Sequence, residues 1–376
     1  MQYKEYGKTG DKVSRLGFGL MRLPMIEDHV DMEISIALIR KAIELGVNYL
    51  DSAEGYCRGE SQIAFGKAIK GLRDKIFVST KNGYKGESGD EWRERLDTSL
   101  ERIDVDYIDF YHSHGLSWDQ YQGMLGKGGP IERFRQVKEE GLVRHMCFSC
   151  HDSPENMIKL LDTGDFDGML CQYNLLDRRN EPAIAHAQEL GLGIAIMGPV
   201  GGGRLVAPSD EITSWVESGA KSTPEVALRF VLSNPGVTLA LSGMNSMAMV
   251  EENTATAGRE EPLSDLERQK VLEMLEETKR MSELYCTGCG YCMPCPNDVD
   301  IPENFRLMNY YRVFGLADYA REGYKRLEKK RKRDGTVLEA WAAACIECGE
   351  CEPKCPQNIP IREQLKETHA ALGEES

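Results

Sequence analysis

Short β-prone runs alternate along the chain with longer stretches whose apolar residues recur at helical spacing. Eight repeats of this pattern over about 250 residues predict an α/β fold, a (β/α)8 TIM barrel, with a doubly wound open sheet as the alternative. The runs are LGFGL (16–20), VNYLD (47–51), IFVSTK (76–81), YIDFYHSH (107–114), RHMCFS (144–149), GMLCQYN (168–174), GIAIMGP (193–199) and VTLALSG (237–243).

Helix start signals support this reading. Ser153 followed by Pro154, and Thr223 followed by Pro224, each place a capping residue before a first-turn proline. A third start, the capping box of Ser264 and Glu267, begins a long polar helix. We expect this helix to bridge a barrel domain, residues 1–262, to a smaller domain, residues 263–376.

Composition narrows the class of protein. Hydrophobic residues make up 41% and charged residues 28% of the 376, as in soluble globular proteins. No apolar run is long enough for a membrane span, and no signal peptide is present, so we expect a cytoplasmic protein. The net charge of -15 argues against nucleic-acid binding. The basic stretch KRLEKKRKR (325–333) is either a solvated helix face or a docking patch for an acidic electron carrier.

Reactive side chains follow the predicted strands, where a barrel builds its active site. Asp51 ends the second run, Lys81 the third and His114 the fourth, while Tyr56 lies in the loop after Asp51. A free phenol has a pKa of about 10, and a neighbouring ammonium lowers it. Tyr56 and Lys81 therefore suit proton transfer to a carbonyl oxygen, with Asp51 balancing the lysine.

The segments VSRLGFGLMRLP, NYLDSAEGYCRGES, FVSTKNG and YIDFYHSHG together resemble the aldo-keto reductase superfamily. The resemblance implies that Tyr56 is the general acid, Lys81 its pKa modifier, Asp51 the partner of the lysine, and His114 the group that orients the carbonyl. His112 lies two residues before His114 and is the alternative. The family pattern selects His114, which leaves His112 as a hydrogen-bonded core histidine.

The resemblance also implies an extended NADPH or NADH across the barrel top, contacting residues at several strand ends. Ser149 and Gln172 would meet the carboxamide, and the glycines of 197–205 would approach the pyrophosphate unless they form a flexible loop. Gly243 and Met249 stand where a basic pair usually grips the 2′-phosphate, so NADH is an alternative to NADPH. The full set is Gly19, Met21, Arg22, Ser149, Gln172, Met197, Pro199, Gly201, Gly203, Ser242, Gly243, Asn245, Glu252 and Asn253.

Two cysteine-rich segments lie near the C-terminus, CTGCGYCMPCP (286–296) and CIECGECEPKCP (345–356). The second is the C-x2-C-x2-C-x3-C-P run of bacterial ferredoxins, and the first has one residue fewer in its last gap. With the crossed ligation of two-cluster ferredoxins, one [4Fe–4S] cluster is held by Cys286, Cys289, Cys292 and Cys355. The other is held by Cys345, Cys348, Cys351 and Cys295. Four-cysteine zinc sites are the alternative.

The linker between the two segments looks helical, so the second domain is expected to be a mainly helical dicluster ferredoxin-like domain. The whole chain resembles ferredoxin-fused aldo-keto reductases. This implies a small carbonyl or alcohol substrate, two [4Fe–4S] clusters and an external one-electron carrier. A flavin is chemically suited to join two-electron and one-electron chemistry, but the sequence has no clear flavin motif. Purely structural clusters, or a non-catalytic electron-transfer or sensor subunit, are the alternatives.

Overall fold

The structure is a computed structural model. It describes residues 1–201, 205, 208–283, 286, 290–312, 314–331, 335–355 and 359–373, with the backbone alone for 277–283. The chain divides into two compact units, one of residues 1–202 and 227–264, the other of 203–226 and 265–376. The second unit thus includes a stretch that the predicted division assigned to the barrel. Among the described residues, no helix combines the length and apolar character that crossing a membrane requires.

Eight parallel strands close into a barrel, in the order β10-β11-β12-β3-β6-β7-β8-β9. Each corresponds to one predicted run, so the TIM barrel is confirmed and the open sheet is wrong. In chain order the strands are β1 (Tyr3–Glu5), β2 (Lys12–Ser14), β3 (Leu16–Gly19), β4 (Met25–Ile26), β5 (His29–Val30), β6 (Tyr49–Asp51), β7 (Phe77–Asn82), β8 (Ile108–Ser113), β9 (Val143–Cys150), β10 (Gly168–Gln172), β11 (Gly193–Met197), β12 (Leu239–Ser242), β13 (Lys330–Arg331) and β14 (Val337–Leu338).

Aromatic side chains fill the barrel interior. Tyr6 follows the antiparallel pair β1–β2 and packs against Phe110, with ring centroids 4.4 Å apart. A Cβ at Gly193, the first residue of β11, would lie 2.0 Å from the Tyr6 ring, so this position requires glycine. Tyr6 therefore closes the end of the barrel where the strands begin. The opposite end, where the strands finish, is left for function.

Helices connect the barrel strands and build most of the second unit. In chain order they are α1 (Met32–Glu44), α2 (Glu60–Ile69), α3 (Gly89–Ile103), α4 (Trp118–Met124), α5 (Pro130–Glu139), α6 (Pro154–Asp162), α7 (Glu181–Glu189), α8 (Asp210–Ser214), α9 (Thr223–Ser233), α10 (Met247–Ala257), α11 (Asp265–Glu283), α12 (Ile301–Arg312), α13 (Ala317–Glu328) and α14 (Ile361–Leu372).

The predicted helix starts can be compared with the observed caps. Ser153 caps α6 by accepting from the backbone N–H of Asn156, as predicted. The cap of α9 is one residue earlier than predicted. Ser222 Oγ accepts from the N–H of Glu225, whereas Thr223 Oγ1 accepts from the N–H of Ser209. Thr223 is therefore recruited by a tertiary contact, and its neighbour serves the helix.

The second unit is mainly helical, as predicted. The two-stranded sheet β13–β14 follows α13, and the N–H of Ala340 donates to Leu327 O at 2.9 Å. The N–H of Asp300 donates to Ala340 O at 3.0 Å. The buried Tyr324 of α13 shares a hydrogen bond of 2.8 Å with His369 of α14. These contacts connect α13 to the segments that flank the two cysteine-rich loops.

Candidate active site and cluster-binding loops

Asp51 and Lys81 form a buried ion pair at the ends of neighbouring strands β6 and β7. Lys81 Nζ donates to Asp51 Oδ2 and, at 2.8 Å, to Ser52 O. Ser79 Oγ donates to the other carboxylate oxygen of Asp51 at 2.7 Å. The lysine side chain is 1% exposed. Such a pair is maintained only when both charges are compensated, and here hydrogen bonds satisfy each partner.

Tyr56 and His114 complete the group of four side chains. Lys81 Nζ lies 5.2 Å from the centroid of the Tyr56 ring. The ring of His114 lies 5.7 Å from that of Tyr56 and is nearly perpendicular to it. The four residues that the sequence analysis selected are thus brought together at the C-terminal ends of β6, β7 and β8.

The pKa of Tyr56 departs from the sequence-based expectation. Burial raises the pKa of the phenol above its usual value, and the opposing effect of the Lys81 ammonium is smaller. The expectation of a net lowered pKa is therefore wrong in this arrangement, although the lysine acts in the predicted direction. A raised pKa keeps the phenol protonated at neutral pH, which is the state a proton donor needs.

The two histidines of β8 and its end differ in environment. His112 is fully buried, and its Nε2 lies 3.4 Å from the Tyr49 hydroxyl inside the barrel. His114 is half-buried, and its ring faces Tyr56. Burial, and then Lys81, lowers the pKa of His114 to about 4, so its imidazole is neutral at pH 7. These positions agree with the choice of His114 and with a core role for His112.

The turn after Tyr56 contains backbone conformations that the sequence does not signal. Cys57 and Arg58 have φ of 49° and 57°, in the left-handed region that favours glycine, and Gly59 follows with 90°. Arg58 pairs with Asp28 at 2.9 Å, and Cys57 Sγ donates to Met21 O at 3.6 Å. Non-glycine residues held in this region are typical of functional sites.

The predicted nicotinamide contacts lie at three consecutive strand ends. Ser149 is near the end of β9, Gln172 ends β10 and Met197 ends β11. Ser149 Oγ accepts from the N–H of Gly115 at 2.8 Å, which leaves its hydroxyl hydrogen as a donor. Pro199 is buried just beyond β11.

The glycines after β11 were predicted to approach the pyrophosphate. Gly198 and Gly201 have φ of 62° and 63°, a conformation that favours glycine, and the N–H of Gly201 donates to Gly198 O at 2.9 Å within the turn. A Cβ on Gly198 would lie 3.6 Å from the Gln172 amide. Gly203 lies outside the described residues.

The remaining predicted contacts meet where β3 and β12 pair. A Cβ on Gly243 would lie 3.7 Å from both Gly19 O and Arg22 Cβ, while Met21 is 50% exposed. Asn253 Nδ2 donates to Ser242 Oγ at 3.1 Å. The structure thus uses the Asn253 amide within the fold, whereas Asn245 and Glu252 are exposed near this junction.

Two aromatic residues of the loop after β8 are candidates either for lining a substrate pocket or for anchoring the loop. Tyr121 is 6% exposed, and its hydroxyl donates to Asp165 at 2.7 Å. The ring of Trp118 stacks on that of Tyr121, and the backbone N–H of Trp118 donates to Asp152 Oδ2 at 3.0 Å. These contacts favour the anchoring role.

The cysteine-rich loops converge on one cavity of the second unit. Cys292 and Cys295 from the first loop and Cys345, Cys348 and Cys351 from the second line it together. Among the described residues, no three His, Cys, Asp or Glu side chains converge closely enough for a single metal ion. Thiolates are the usual ligands of iron–sulfur clusters, and the five cysteines that line this cavity belong to the predicted ligand set. Cys289 lies outside the described residues.

Every described cysteine is free of a disulfide. Cys147 and Cys171 are buried in strands, and burial raises the pKa of both thiols, so they pack as small apolar residues. Within the described part of 325–333, Lys325, Arg326, Lys329 and Arg331 are exposed, and Lys330 pairs with Asp300 at 2.6 Å.

Comparisons with known proteins agree with this geometry. The profile of the Aldo/keto reductase family matches residues 15–276, and that of a 4Fe-4S dicluster domain matches 285–359. An L-galactose dehydrogenase of Arabidopsis thaliana is 27% identical over 310 residues, 75% of this chain and 97% of that enzyme. An NADH-specific methylglyoxal reductase of Escherichia coli is 26% identical over 325 residues, 73% of this chain and 98% of that enzyme.

A solved structure of an aldo-keto reductase from Bacillus halodurans, in its holo form, superposes with a TM-score of 0.64. It is 29% identical and covers 73% of this chain and 96% of its own. Because the family profile spans well over half of the 376 residues, this chain belongs to the aldo/keto reductase family of oxidoreductases and carries a C-terminal 4Fe-4S dicluster domain.

Proposed function

We propose that the barrel catalyses the NAD(P)H-dependent reduction of a small carbonyl compound, and the reverse oxidation of an alcohol, with Tyr56 as general acid. The convergence of Asp51, Tyr56, Lys81 and His114 at neighbouring strand ends carries this proposal. Relatives named as a methylglyoxal reductase and an L-galactose dehydrogenase support a small carbonyl or alcohol substrate.

Each side chain has a distinct role. Asp51 holds the Lys81 ammonium beside the Tyr56 ring, and the protonated phenol donates its hydrogen to the carbonyl oxygen. Lys81 then stabilises the phenolate that remains. The neutral imidazole of His114 carries one N–H that can orient the same oxygen. When bound, the nicotinamide cofactor supplies the hydride.

The residues that would hold the cofactor are Ser149, Gln172 and Met197 at the nicotinamide end, with Pro199, Gly201 and Gly203 at the pyrophosphate. Gly19, Met21, Arg22, Ser242, Gly243, Asn245, Glu252 and Asn253 would complete the site. Gly243 is exposed and Met249 carries no charge, so a 2′-phosphate would find no basic pair here. We therefore expect NADH to bind at least as well as NADPH, as in the NADH-specific relative.

For the second unit we propose two [4Fe–4S] clusters, held by Cys286, Cys289, Cys292 and Cys355, and by Cys345, Cys348, Cys351 and Cys295. Cys295 lines one cavity with Cys345, Cys348 and Cys351, which supports the second set, and Cys292 of the first set lines the same cavity. Such clusters supply one-electron transfer. Cys348 is exposed, which suits exchange with an external one-electron carrier in a reducing compartment such as the cytoplasm.

The catalytic role is tested by Tyr56→Phe, assayed with NADH and 4-nitrobenzaldehyde as an activated carbonyl probe. Loss of the proton donor should lower kcat by about 10²- to 10⁴-fold and leave the Kd for NADH unchanged. Tyr121→Phe is the matched control, because Tyr121 anchors a loop of the same barrel and should retain activity. Full turnover by Tyr56→Phe would remove the proposal.

The redox role is tested on protein purified without oxygen. Optical and electron paramagnetic resonance spectra should report [4Fe–4S] clusters, and cofactor extraction tests for flavin. Addition of NADH without a carbonyl substrate should then reduce the clusters, because one hydride supplies one electron to each of the two clusters and releases a proton. Clusters that NADH leaves oxidised, in protein that reduces the carbonyl, would indicate a purely structural role.

A further inference from the structure

We propose that Arg95 is a positioning residue for Tyr56, acting through Glu54; the inference rests on the proposed role of Tyr56 as general acid. Arg95 lies on α3 and has no role in the sequence-based site. Its guanidinium contacts two loops. The loop after β6 carries Tyr56, and the loop after β7 follows the strand that carries Lys81.

The contacts of Arg95 define this link. Nε and Nη2 donate to the two carboxylate oxygens of Glu54, the former at 3.2 Å. Nη1 donates to Gly83 O and to Glu87 Oε1, both at 2.7 Å. Gly83 follows β7, which carries Lys81, and Glu54 lies two residues before Tyr56. The planar guanidinium of Arg95 therefore fixes the spacing of the two loops, which the single ammonium of a lysine would do less well.

Glu54 is also held through its backbone. Its N–H donates to Lys81 O at 3.1 Å, and its carbonyl oxygen accepts from Arg102 Nη1 at 3.2 Å. The hydrogen bond from Arg95 lowers the pKa of the Glu54 carboxyl, so the pair persists through neutral pH. The residue that precedes the Tyr56 turn is thus held by its side chain, its N–H and its carbonyl.

The turn after Tyr56 explains why such an anchor is needed. Cys57 and Arg58 both have positive φ, at a cost of about 1–2 kcal/mol for each non-glycine residue. A conformation of this kind persists only where its surroundings fix it. Releasing Glu54 on one side of Tyr56 would let the turn relax and move the phenol away from Lys81.

The consequence is specific to the chemical step. Arg95 does not contact the reacting atoms, but a displacement of about 1 Å at a proton donor can cost 10²-fold in rate. A phenol farther from Lys81 also loses the effect of the ammonium that lowers its pKa. The high-pH limb of kcat, along which the general acid is deprotonated, should therefore shift to higher pH.

The test compares four variants of the full chain in the NADH and 4-nitrobenzaldehyde assay: Arg95→Met, Arg95→Lys, Glu54→Gln and Arg93→Met. Arg93 is the matched control, since it is on the same helix and pairs with Asp97 and Glu140, away from the two loops. Arg95→Met should lower kcat by about 10- to 100-fold. KM and the Kd for NADH should change less than threefold, and the high-pH limb of the kcat profile should shift to higher pH.

Glu54→Gln should resemble Arg95→Met, and Arg95→Lys should recover only part of kcat, while Arg93→Met stays within twofold of wild type. If Arg95→Met and Glu54→Gln both keep the kcat of the wild type and show no shift in the high-pH limb, the inference is overturned. If Arg95→Met does not fold, Glu54→Gln and Arg95→Lys decide by the same criteria. Tyr56→Phe in the same assay separates the two failures: its inactivity with active Arg95 variants refutes only this inference, whereas its activity refutes the proposed function.

Discussion

The barrel site and the cysteine-rich loops hold their reactive groups in different ways. Asp51 and Lys81 lie on strands, are nearly inaccessible to water and satisfy one another through hydrogen bonds. The described cysteines of the second unit lie on loops and short turns, and Cys348 is exposed. The protein itself preorganises the first site, whereas the second brings thiols around a cavity and depends on its metal for completion.

The two sites therefore differ in how much their structure depends on a bound ligand. A preformed constellation depends on packing that exists before any ligand binds. A thiol site is rarely preformed in an unfolded chain, so its binding free energy is also folding free energy. Removing a ligand should therefore have little effect on the structure of the barrel and a large effect on the second unit.

The largest effect expected is that of cluster removal. Treating the anaerobic full-length protein with an iron chelator and an oxidant should unfold much of the second unit, because the thiols lose the body that they surround. Limited proteolysis should then cleave within 286–355 and leave the barrel resistant. Hydrogen exchange should rise in α12 and α14 and stay unchanged in β6 to β8. Equal protection of both units after complete iron loss would contradict this account.

The next largest effect is on the ion pairs. Asp51→Asn leaves the buried Lys81 ammonium without its partner and should cost about 3–5 kcal/mol of unfolding free energy. Glu367→Gln is the matched carboxylate-to-amide change in the second unit, where Glu367 pairs with Arg312 at 2.6 Å on the surface. That change should cost no more than about 1 kcal/mol. Anaerobic urea unfolding measures both, and similar costs would argue that the barrel pair is not desolvated.

The barrel was largely predictable from the sequence because periodicity and strand-end chemistry are local. The eight runs became the eight barrel strands, and Asp51, Lys81 and His114 could be selected because parallel strand ends meet at one edge. The net pKa of Tyr56 was not predictable, because it depends on how much burial opposes the ammonium.

Tertiary contacts account for the other differences. Thr223 has the sequence of a helix cap, but it bonds Ser209, fourteen residues away, and Ser222 takes its place. Arg95 was missed for the same reason, since an arginine on a polar helix face has no local signal of its partner. In the second unit the cysteine spacing indicated the metal chemistry, while the cavity shared by Cys295 with the second loop needed coordinates.

The third prediction concerns pH. His114 has a pKa of about 4 in the folded protein and about 6.5 when unfolded. Between these values the unfolded chain binds more protons, so stability falls as the pH decreases from about 6.5 to 4. Lys81, His151 and Glu54 are the charged or titratable groups that act on His114. Lys81 and His114 act on His112, whose pKa burial also lowers.

The His114 part of this slope can be isolated. His114→Gln should lower the slope of unfolding free energy against pH by at most about 1.4 kcal/mol per pH unit, since one proton is involved. Thermal unfolding at several pH values from 7.5 to 4.5 measures the difference from wild type. Parallel curves for the two proteins would mean that folding does not shift the pKa of His114.

The smallest structural effect is expected at the basic stretch. Neutralising Arg326, Lys329 and Arg331 with glutamine should change unfolding free energy by about 0.5 kcal/mol or less, because these side chains are exposed. As a docking patch, the stretch should accelerate encounter with an acidic carrier at low salt. Reduction of the clusters by reduced flavodoxin should then slow several-fold in 50 mM salt and match wild type in 500 mM salt, where charges are screened. Reduction by dithionite, which needs no protein docking, controls for damage to the clusters. If the variant and wild type react equally with flavodoxin at both salt concentrations, the stretch is only a solvated surface and the carrier docks elsewhere.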